Sequence, residues 1–376
     1  MTMLEGQLWT PRGWQAGRLH FGERIQENCA LTRAPEHWIV PGFIDVHVHG
    51  GGGADVMDGE SGIRELARFH AQHGTTALLA TTITNPWPHV LEALRNIRLV
   101  HATPGPGEAS VLGAHLEGPF ISPRNLGAQP AFTLSPDPTL IAEALELQII
   151  RLVTLAPELQ GAGKAAVQFV QSGVRVSLGH TVATADEADH VIRAVLEAGG
   201  EIGGTHLFNA MTGLKGREPG VVGALLARPE AYAEVILDGH HVHPTSFRSV
   251  LQAKPERTLL ITDAMRAAGM PDGDYDLGVE MTTVRDGQAR RPNGGLAGSL
   301  LTMDEALRQA VDAGLPLHLA VATTVHPARY LGLPERGFIE VGRWADVVVL
   351  GSDLRVEQVY MRGHLVHQIT YDQNCG

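Results

Sequence analysis

The sequence has little of several features that mark particular classes of protein. Its 376 residues contain only two cysteines, Cys29 and Cys375, and two cysteines cannot form a disulfide framework. Lysine and arginine total 29 against 41 aspartates and glutamates, and the net charge of −12 argues against nucleic-acid binding. No apolar run reaches the length of a membrane-spanning helix, and no basic, apolar leader is visible. We therefore expect a cytoplasmic protein with no membrane or nucleic-acid partner.

Apolar runs recur along the chain, and segments with a helical pattern separate most of them. Eight runs are predicted to be strands, at residues 43–48, 77–82, 111–116, 149–155, 174–180, 203–208, 233–238 and 258–263. Strands that alternate with helices indicate a parallel sheet, and eight such units in roughly 280 residues favour a closed (β/α)8 TIM barrel over an open sheet.

The two ends of the chain have a different pattern, with short strand-like runs, turns and little helical periodicity. We predict that both ends form one small β-sandwich domain, residues 1–40 plus 330–376. The barrel, at residues 41–329, would then be the catalytic domain. A Gly- and Asp-rich excursion at 269–298 is predicted to contain hairpins.

Ionisable side chains stand where several predicted strands end. They are His47, His49, Glu117, His180, His206 and Asp263. Because the carboxyl ends of barrel strands meet at one face, we expect these side chains to converge. A buried glutamate is costly unless its charge is compensated, and imidazole and carboxylate groups bind divalent metals. Each residue also has a structural alternative: a hydrogen-bonded loop histidine, a helix-capping glutamate or a salt-bridged aspartate.

The composition of this set favours a catalytic metal site. Glu117, His180 and His206 would supply three ligands and leave one position open, as catalytic sites do. Asp263 could be a ligand, a general base, or both in turn. Histidine and carboxylate ligands suit divalent zinc, iron, manganese and cobalt, with zinc favoured.

Lysine is scarce, and its placement excludes one common arrangement. Many barrel hydrolases join two metals through a carboxylated lysine at the fourth strand. The three lysines of this chain, Lys164, Lys215 and Lys254, do not end a predicted strand. Glu117 is therefore the candidate for a group that bridges two ions.

Seven motifs, in order, resemble those of the N-acetylglucosamine-6-phosphate deacetylases of the amidohydrolase superfamily. They are PGFIDVHVHG at 41–50, HLEGP at 115–119, GHT at 179–181, THLFNAM at 205–211, DGHHV at 238–242, TDA at 262–264 and LAGSL at 296–300. GHT alone is a weak signal, whereas the ordered set is highly specific. The resemblance implies metal-dependent hydrolysis of N-acetyl-D-glucosamine 6-phosphate to D-glucosamine 6-phosphate and acetate, in amino-sugar catabolism or cell-wall recycling.

The resemblance also implies roles for individual residues. Glu117, His180 and His206 would hold one metal, and Asp263 would be the catalytic acid and base. His47 and His49 resemble the second-metal ligands found in part of the family, which implies one or two divalent ions per subunit. The residues that resemble sugar-phosphate contacts are Asn209, Ala210, Arg217, His241, Leu296, Ala297 and Gly298. In the family the arginine reaches a neighbouring subunit's site, which implies a homodimer.

One segment departs from the family pattern. Family members often have a histidine that helps hold the acetyl carbonyl, whereas this chain has Ala128-Gln129 there. Gln129 could still donate a hydrogen bond but carries no charge. Two alternatives stay open: an amidohydrolase for a cyclic amide or aminopurine, and a non-catalytic sensor of sugar phosphates.

Overall fold

An eight-stranded parallel sheet is the centre of the computed structural model, which describes residues 1–33 and 35–369. Its strands, adjacent in chain order, are Phe43–Val48, Thr75–Thr82, Ser110–Glu117, Ile150–Leu155, Arg175–Leu178, Ile202–Gly204, Tyr232–Ile236 and Thr258–Ile261. After the eighth strand, the Asp263 amide donates to the His47 carbonyl at 2.9 Å, which closes the sheet. The predicted TIM barrel is confirmed.

The segments between the strands form helices because their apolar residues recur every three or four positions and so form one face that can be buried. In Gly59–Gln72, for example, Ile63, Leu66 and Ala67 are fully buried against the barrel. The other helices are Trp87–Ala102, Pro138–Leu145, Ala162–Gln171, Ala185–Glu197, Gly220–Ala227, Pro244–Ala253, Met303–Asp312 and Leu317–Tyr330. None of the helices in the described part of the chain has the length and apolarity that crossing a bilayer requires.

The two chain ends form one seven-stranded sheet. Its strands, in spatial order, are His364–Gln368, Val356–Met361, Val347–Leu350, Trp38–Pro41, Thr2–Thr10, Gly13–Phe21 and Ile25–Ala30. A separate apolar cluster, with Leu8, Leu19, Phe21 and Val347 among its members, packs on this sheet. The fold is compatible with the predicted β-sandwich, whereas the exact domain bounds stay a prediction. Residues 370–376, with Cys375, lie outside the described part.

Four predicted strands end earlier than expected at their carboxyl ends. The predictions ran to residues 180, 208, 238 and 263, whereas the strands stop at Leu178, Gly204, Ile236 and Ile261. For three of them the reason is the backbone that follows, because His180, His206 and Asp263 all have positive φ, which a strand does not contain. These three residues therefore lie on the loops just beyond the strands, whereas His47 and Glu117 lie on strands.

The excursion after the eighth strand contains the hairpins that its sequence predicts. It forms a three-stranded antiparallel sheet of Gly273–Leu277, Glu280–Arg285 and Gln288–Arg290. A further two-stranded ribbon, Gly50–Gly51 with Ala54–Asp55, follows the first barrel strand. Both additions stand at the carboxyl-end face, and Leu277 from the excursion lines the cavity described below.

Candidate active site

Glu117, His180 and His206 converge at the carboxyl-end face of the barrel. The Nε2 atoms of the two histidines are 3.0 Å apart, and each is 3.0 Å from Glu117 Oε1. All three side chains are buried. Three residues that are distant in the sequence thus present three ligand atoms to one point.

A second group of ligand atoms, from His47, His49 and Asp263, lies beside the first. His49 Nε2 is 3.3 Å from both His47 Nε2 and Asp263 Oδ1. The second carboxylate oxygen of Glu117, Oε2, is 3.0 Å from His49 Nε2 and 3.4 Å from His47 Nε2. The two oxygens of one carboxylate therefore face two separate groups.

Both groups have the donor set and the spacing that a divalent cation requires. An ionised carboxylate only accepts hydrogen bonds, and a neutral imidazole has one nitrogen with a lone pair, so a cation satisfies all of these atoms at once. Ligand atoms in tetrahedral positions about 2.0–2.1 Å from zinc are roughly 3.3 Å apart. The contacts of 3.0 to 3.4 Å agree with that spacing. Glu117 is placed to contact an ion in either group.

The backbone at this face adopts conformations that are uncommon outside glycine. The φ angle is 47° at His180, 33° at His206 and 50° at Asp263. Each such residue costs about 1–3 kcal/mol, and such residues cluster at functional sites. Gly118, directly after Glu117, has φ of 74°, and a Cβ there would collide with the Thr84 hydroxyl. The strained backbone thus lies at the residues whose side chains supply the ligand atoms of the two groups.

The carboxylates and imidazoles strongly influence each other's protonation. Burial alone would lower the pKa of His49, but hydrogen bonds to Asp263 and Glu117 raise it to about 9. Burial alone would raise the pKa of Asp263, but the charge of His47 and the hydrogen bond from His49 lower it to about 2. Burial likewise disfavours the charged form of Glu117, but the charges of His47 and His180 and the hydrogen bonds with His180 and His206 hold its pKa well below its usual value. The site therefore attracts positive charge.

The ligand groups open into a cavity of about 370 Å³. Small-molecule sites typically have roughly 300–1,000 Å³. Most of the predicted substrate contacts line this cavity, namely Ala128, Gln129, Asn209, Ala210, His241, Leu296 and Gly298. Two do not: Ala297 is fully buried in an apolar cluster, and Arg217 is exposed and lines a different hollow beside Lys215.

His241 is oriented by a carboxylate from its own loop. Its Nδ1 lies 2.7 Å from Asp238 Oδ2, and its backbone amide donates to Asp238 Oδ1 at 2.8 Å. Burial opposes the charge of Asp238, but the hydrogen bond from His241 lowers its pKa. With Nδ1 occupied by Asp238, Nε2 is the nitrogen that His241 can offer to a ligand in the cavity.

Gln129 has a different contact from the one the resemblance suggested. Its Oε1 accepts from the Thr84 amide at 2.7 Å, which directs the side-chain amide toward the ligand groups. Its Nε2 donates to Glu117 Oε2 at 2.7 Å. Gln129 therefore orients the carboxylate between the two groups, and only its second amide hydrogen remains for an acetyl carbonyl.

The sequence analysis missed several residues at the site, among them Arg291, Asn293 and Glu234. Arg291 and Asn293 line the cavity, and Arg291 is its only lysine or arginine among the residues that the structure describes. Both lie within the excursion, just after its last strand, and the strand pattern does not show which way the excursion folds. Glu234, a buried acid on the seventh strand, contacts His47. An acid within the apolar run Ala-Glu-Val-Ile was a readable signal.

Comparison with known protein families shows to which family the chain belongs. The family model described as "Amidohydrolase family" matches residues 38–366, which is most of the chain. The chain belongs to the amidohydrolase family. Amidohydrolases of this superfamily use a divalent metal, and the two ligand groups agree with that requirement.

Several amidohydrolases resemble this one over nearly their whole length. N-acetylgalactosamine-6-phosphate deacetylase of Escherichia coli O157:H7 is 41% identical, with 89% of each chain covered. N-acetylglucosamine-6-phosphate deacetylase of Vibrio furnissii is 38% identical over 87% of this chain and 82% of that one. A mutant of the Mycobacterium smegmatis N-acetyl-D-glucosamine-6-phosphate deacetylase, solved with N-acetyl-D-glucosamine-6-phosphate, superposes with a TM-score of 0.90 at 37% identity, covering 98% and 99% of the two chains.

Proposed function

We propose that this amidohydrolase removes the acetyl group of N-acetyl-D-glucosamine 6-phosphate by metal-dependent hydrolysis, giving D-glucosamine 6-phosphate and acetate. The convergence of Glu117, His180 and His206 beside Asp263, at the end of a cavity of small-molecule size, carries the proposal. The similarity to deacetylases of amino-sugar phosphates supports the substrate class. We infer that the reaction takes place in the cytoplasm.

The side chains have separate tasks in the proposed reaction. Glu117, His180 and His206 would hold a first divalent ion, most simply zinc, and His47 and His49 a second with Asp263 nearby. Such an ion polarises a carbonyl and lowers the pKa of water toward neutrality. The acetyl carbonyl of the substrate would lie near Ala128 and Gln129. The side-chain amide of Gln129 orients Glu117.

Asp263 would move the proton. Its ionised carboxylate takes a proton from the attacking water, whose oxygen then bonds to the acetyl carbon. As the C–N bond breaks, Asp263 returns that proton to the amine nitrogen, and acetate leaves. Its low pKa keeps the Asp263 carboxylate ionised at neutral pH, the state in which it can accept a proton.

The phosphate end of the substrate would lie near Asn209, Ala210 and His241, with Leu296, Ala297 and Gly298 forming the opposite loop. A phosphate monoester needs donors, and His241 Nε2 and the Ala210 backbone amide can supply them. The backbone and side-chain amides of Asn209 donate to the His206 and Leu207 carbonyls and shape the loop. Arg217 would add a permanent charge from a neighbouring subunit, because within its own chain it lies outside the cavity. The proposed assembly is therefore a homodimer.

The relative at 41% identity favours a second candidate substrate, N-acetyl-D-galactosamine 6-phosphate. The two sugars differ only in the direction of the C4 hydroxyl. The deciding experiment measures acetate release from both phosphorylated sugars and from unphosphorylated N-acetylglucosamine, using metal-replete protein. Turnover of the glucosamine derivative at the higher kcat/KM supports the proposal; no acetate from any of the three overturns it.

His47→Ala is expected to lower the metal content from two ions per chain to one, because it removes a ligand of the second group only. The measurement is elemental analysis after dialysis against metal-free buffer. His326→Ala is the matched control, since His326 is buried but hydrogen-bonded to the Thr258 carbonyl at the other end of the eighth strand. Unchanged stoichiometry in His47→Ala would contradict the two-ion site.

Arg217→Gln is expected to raise KM for the phosphorylated sugar by about 10- to 100-fold, since a hydrogen bond to a charged group contributes roughly 1.5–3 kcal/mol. The rate with unphosphorylated sugar should not change. Lys215→Gln, two residues away and equally exposed, is the control. Mixing Arg217→Gln with Asp263→Asn protein should restore low-KM activity if each arginine serves the other subunit. No recovery after subunit exchange counts against the shared site.

A further inference from the structure

Glu234 is a carboxylate enclosed inside the barrel, below the candidate metal groups. It lies on the seventh strand, Tyr232–Ile236, and is 1% exposed. Its Oε2 is 3.1 Å from His47 Nδ1 and 3.3 Å from the backbone nitrogen of His206. One oxygen atom therefore contacts a residue from each of the two ligand groups.

The contact with His47 determines which nitrogen of that ring carries a hydrogen. A carboxylate accepts a hydrogen bond, so Nδ1 is the donor, and the lone pair of neutral His47 stands on Nε2. Nε2 is the atom that faces His49 Nε2 at 3.3 Å and Glu117 Oε2 and Asp263 Oδ1 at 3.4 Å each. Glu234 thus holds the ring in the tautomer and direction that a metal ligand needs.

A merely structural role explains Glu234 poorly. Within residues 1–33 and 35–369, the only ion-pair partner of Glu234 is His47. Its second oxygen, Oε1, is buried and has no hydrogen-bond partner in that part of the chain. Replacement of a buried ion pair by apolar residues of similar volume is often neutral or stabilising, so packing alone does not require an acid here.

We propose that Glu234 is a positioning residue for the second metal ion, which it serves by fixing the ring of His47. Carboxylates that accept the outer N–H of a metal-binding histidine orient the ring and make it a stronger ligand, and their loss typically lowers metal affinity about 10- to 100-fold. The proposal rests on the metal-dependent function above, but its test needs no substrate.

The test is a cobalt(II) titration of the full-length protein, freed of metal, with visible absorbance and elemental analysis as readouts. His47→Ala identifies which binding step belongs to the second group. Glu234→Gln is expected to raise the dissociation constant of that step about 10- to 100-fold while the first step is unchanged. In the His47→Ala background, Glu234→Gln should have no further effect on the remaining ion.

Glu108→Gln is the matched control, because Glu108 is also a buried glutamate but pairs with Arg64 and Arg68 outside the barrel interior. Circular dichroism and melting temperature report the fold of each variant. If Glu234→Gln does not fold, Glu234→Asp replaces it; the shorter side chain breaks the 3.1 Å contact, and the same selective loss is expected.

Two results would overturn the proposal: both binding steps unchanged in the folded Glu234 variant, or both weakened to the same extent. The second result would mean that Glu234 supports the barrel as a whole. Acetate release by the wild-type protein tests the proposed function separately. If the wild-type protein releases acetate but the Glu234 variant weakens both binding steps equally, the proposed function stands and only the proposed role of Glu234 is refuted.

Discussion

Asp263→Asn is expected to fold, to keep its metal and to lose about 10²- to 10⁴-fold in kcat, the usual contribution of a general acid and base. The amide keeps the shape of the side chain and one oxygen that faces His49. It cannot take a proton from water or return one to the amine. The measurement is acetate release at saturating substrate, with metal content determined on the same sample.

Asp304→Asn is the control for this substitution. Asp304 is also a buried aspartate, but its charged partners are His73, directly after the helix Gly59–Gln72, and Arg308 on the helix Met303–Asp312. Activity per folded molecule should be near normal in that variant. Near-normal activity in Asp263→Asn would refute the acid–base role, whereas loss of metal together with activity would make Asp263 chiefly a ligand.

Glu117→Gln should have an even broader effect, because its two oxygens face different groups. A neutral amide is a weak ligand for a divalent cation, and it also leaves His180 and His206 without a charged partner. We expect both ions to be lost on dialysis. The rate should fall by about 10³-fold or more, since a metal contributes several kcal/mol and 1.36 kcal/mol corresponds to a tenfold change.

Metal analysis and acetate release measured side by side check this prediction. The Glu108→Gln protein shows what the same substitution does at a buried position away from the barrel interior. Retention of one tightly held ion by Glu117→Gln would show that the carboxylate serves one group only. Excess metal in the assay should restore part of the rate if weakened binding is the cause.

The barrel and most of the site could be predicted because they depend on local patterns. Apolar runs indicated the strands, and acids or histidines at their ends indicated the face where they meet. His180, His206 and Asp263 were therefore identified correctly as neighbours in space. The positive φ angles that move them off the strands were not visible, since none of the three is glycine.

The remaining features depend on contacts between distant segments. Nothing in the sequence shows that the Thr84 amide would hold Gln129 and turn its side chain toward Glu117. The approach of Arg291 to the cavity depends on how the excursion folds over the barrel. Glu234 could have been recognised as an unusual acid in a buried strand, but its partner, 187 positions away, could not.

The seven-stranded sheet has a consequence for how the nascent chain matures on the ribosome. Trp38–Pro41 pairs with Thr2–Thr10 early in synthesis, but its other neighbour, Val347–Leu350, is translated about 300 residues later. At roughly 5–20 residues per second, that strand edge waits on the order of 15–60 s for its partner. Unpaired edges invite association with other chains, so this interval is when the newborn polypeptide most needs a chaperone.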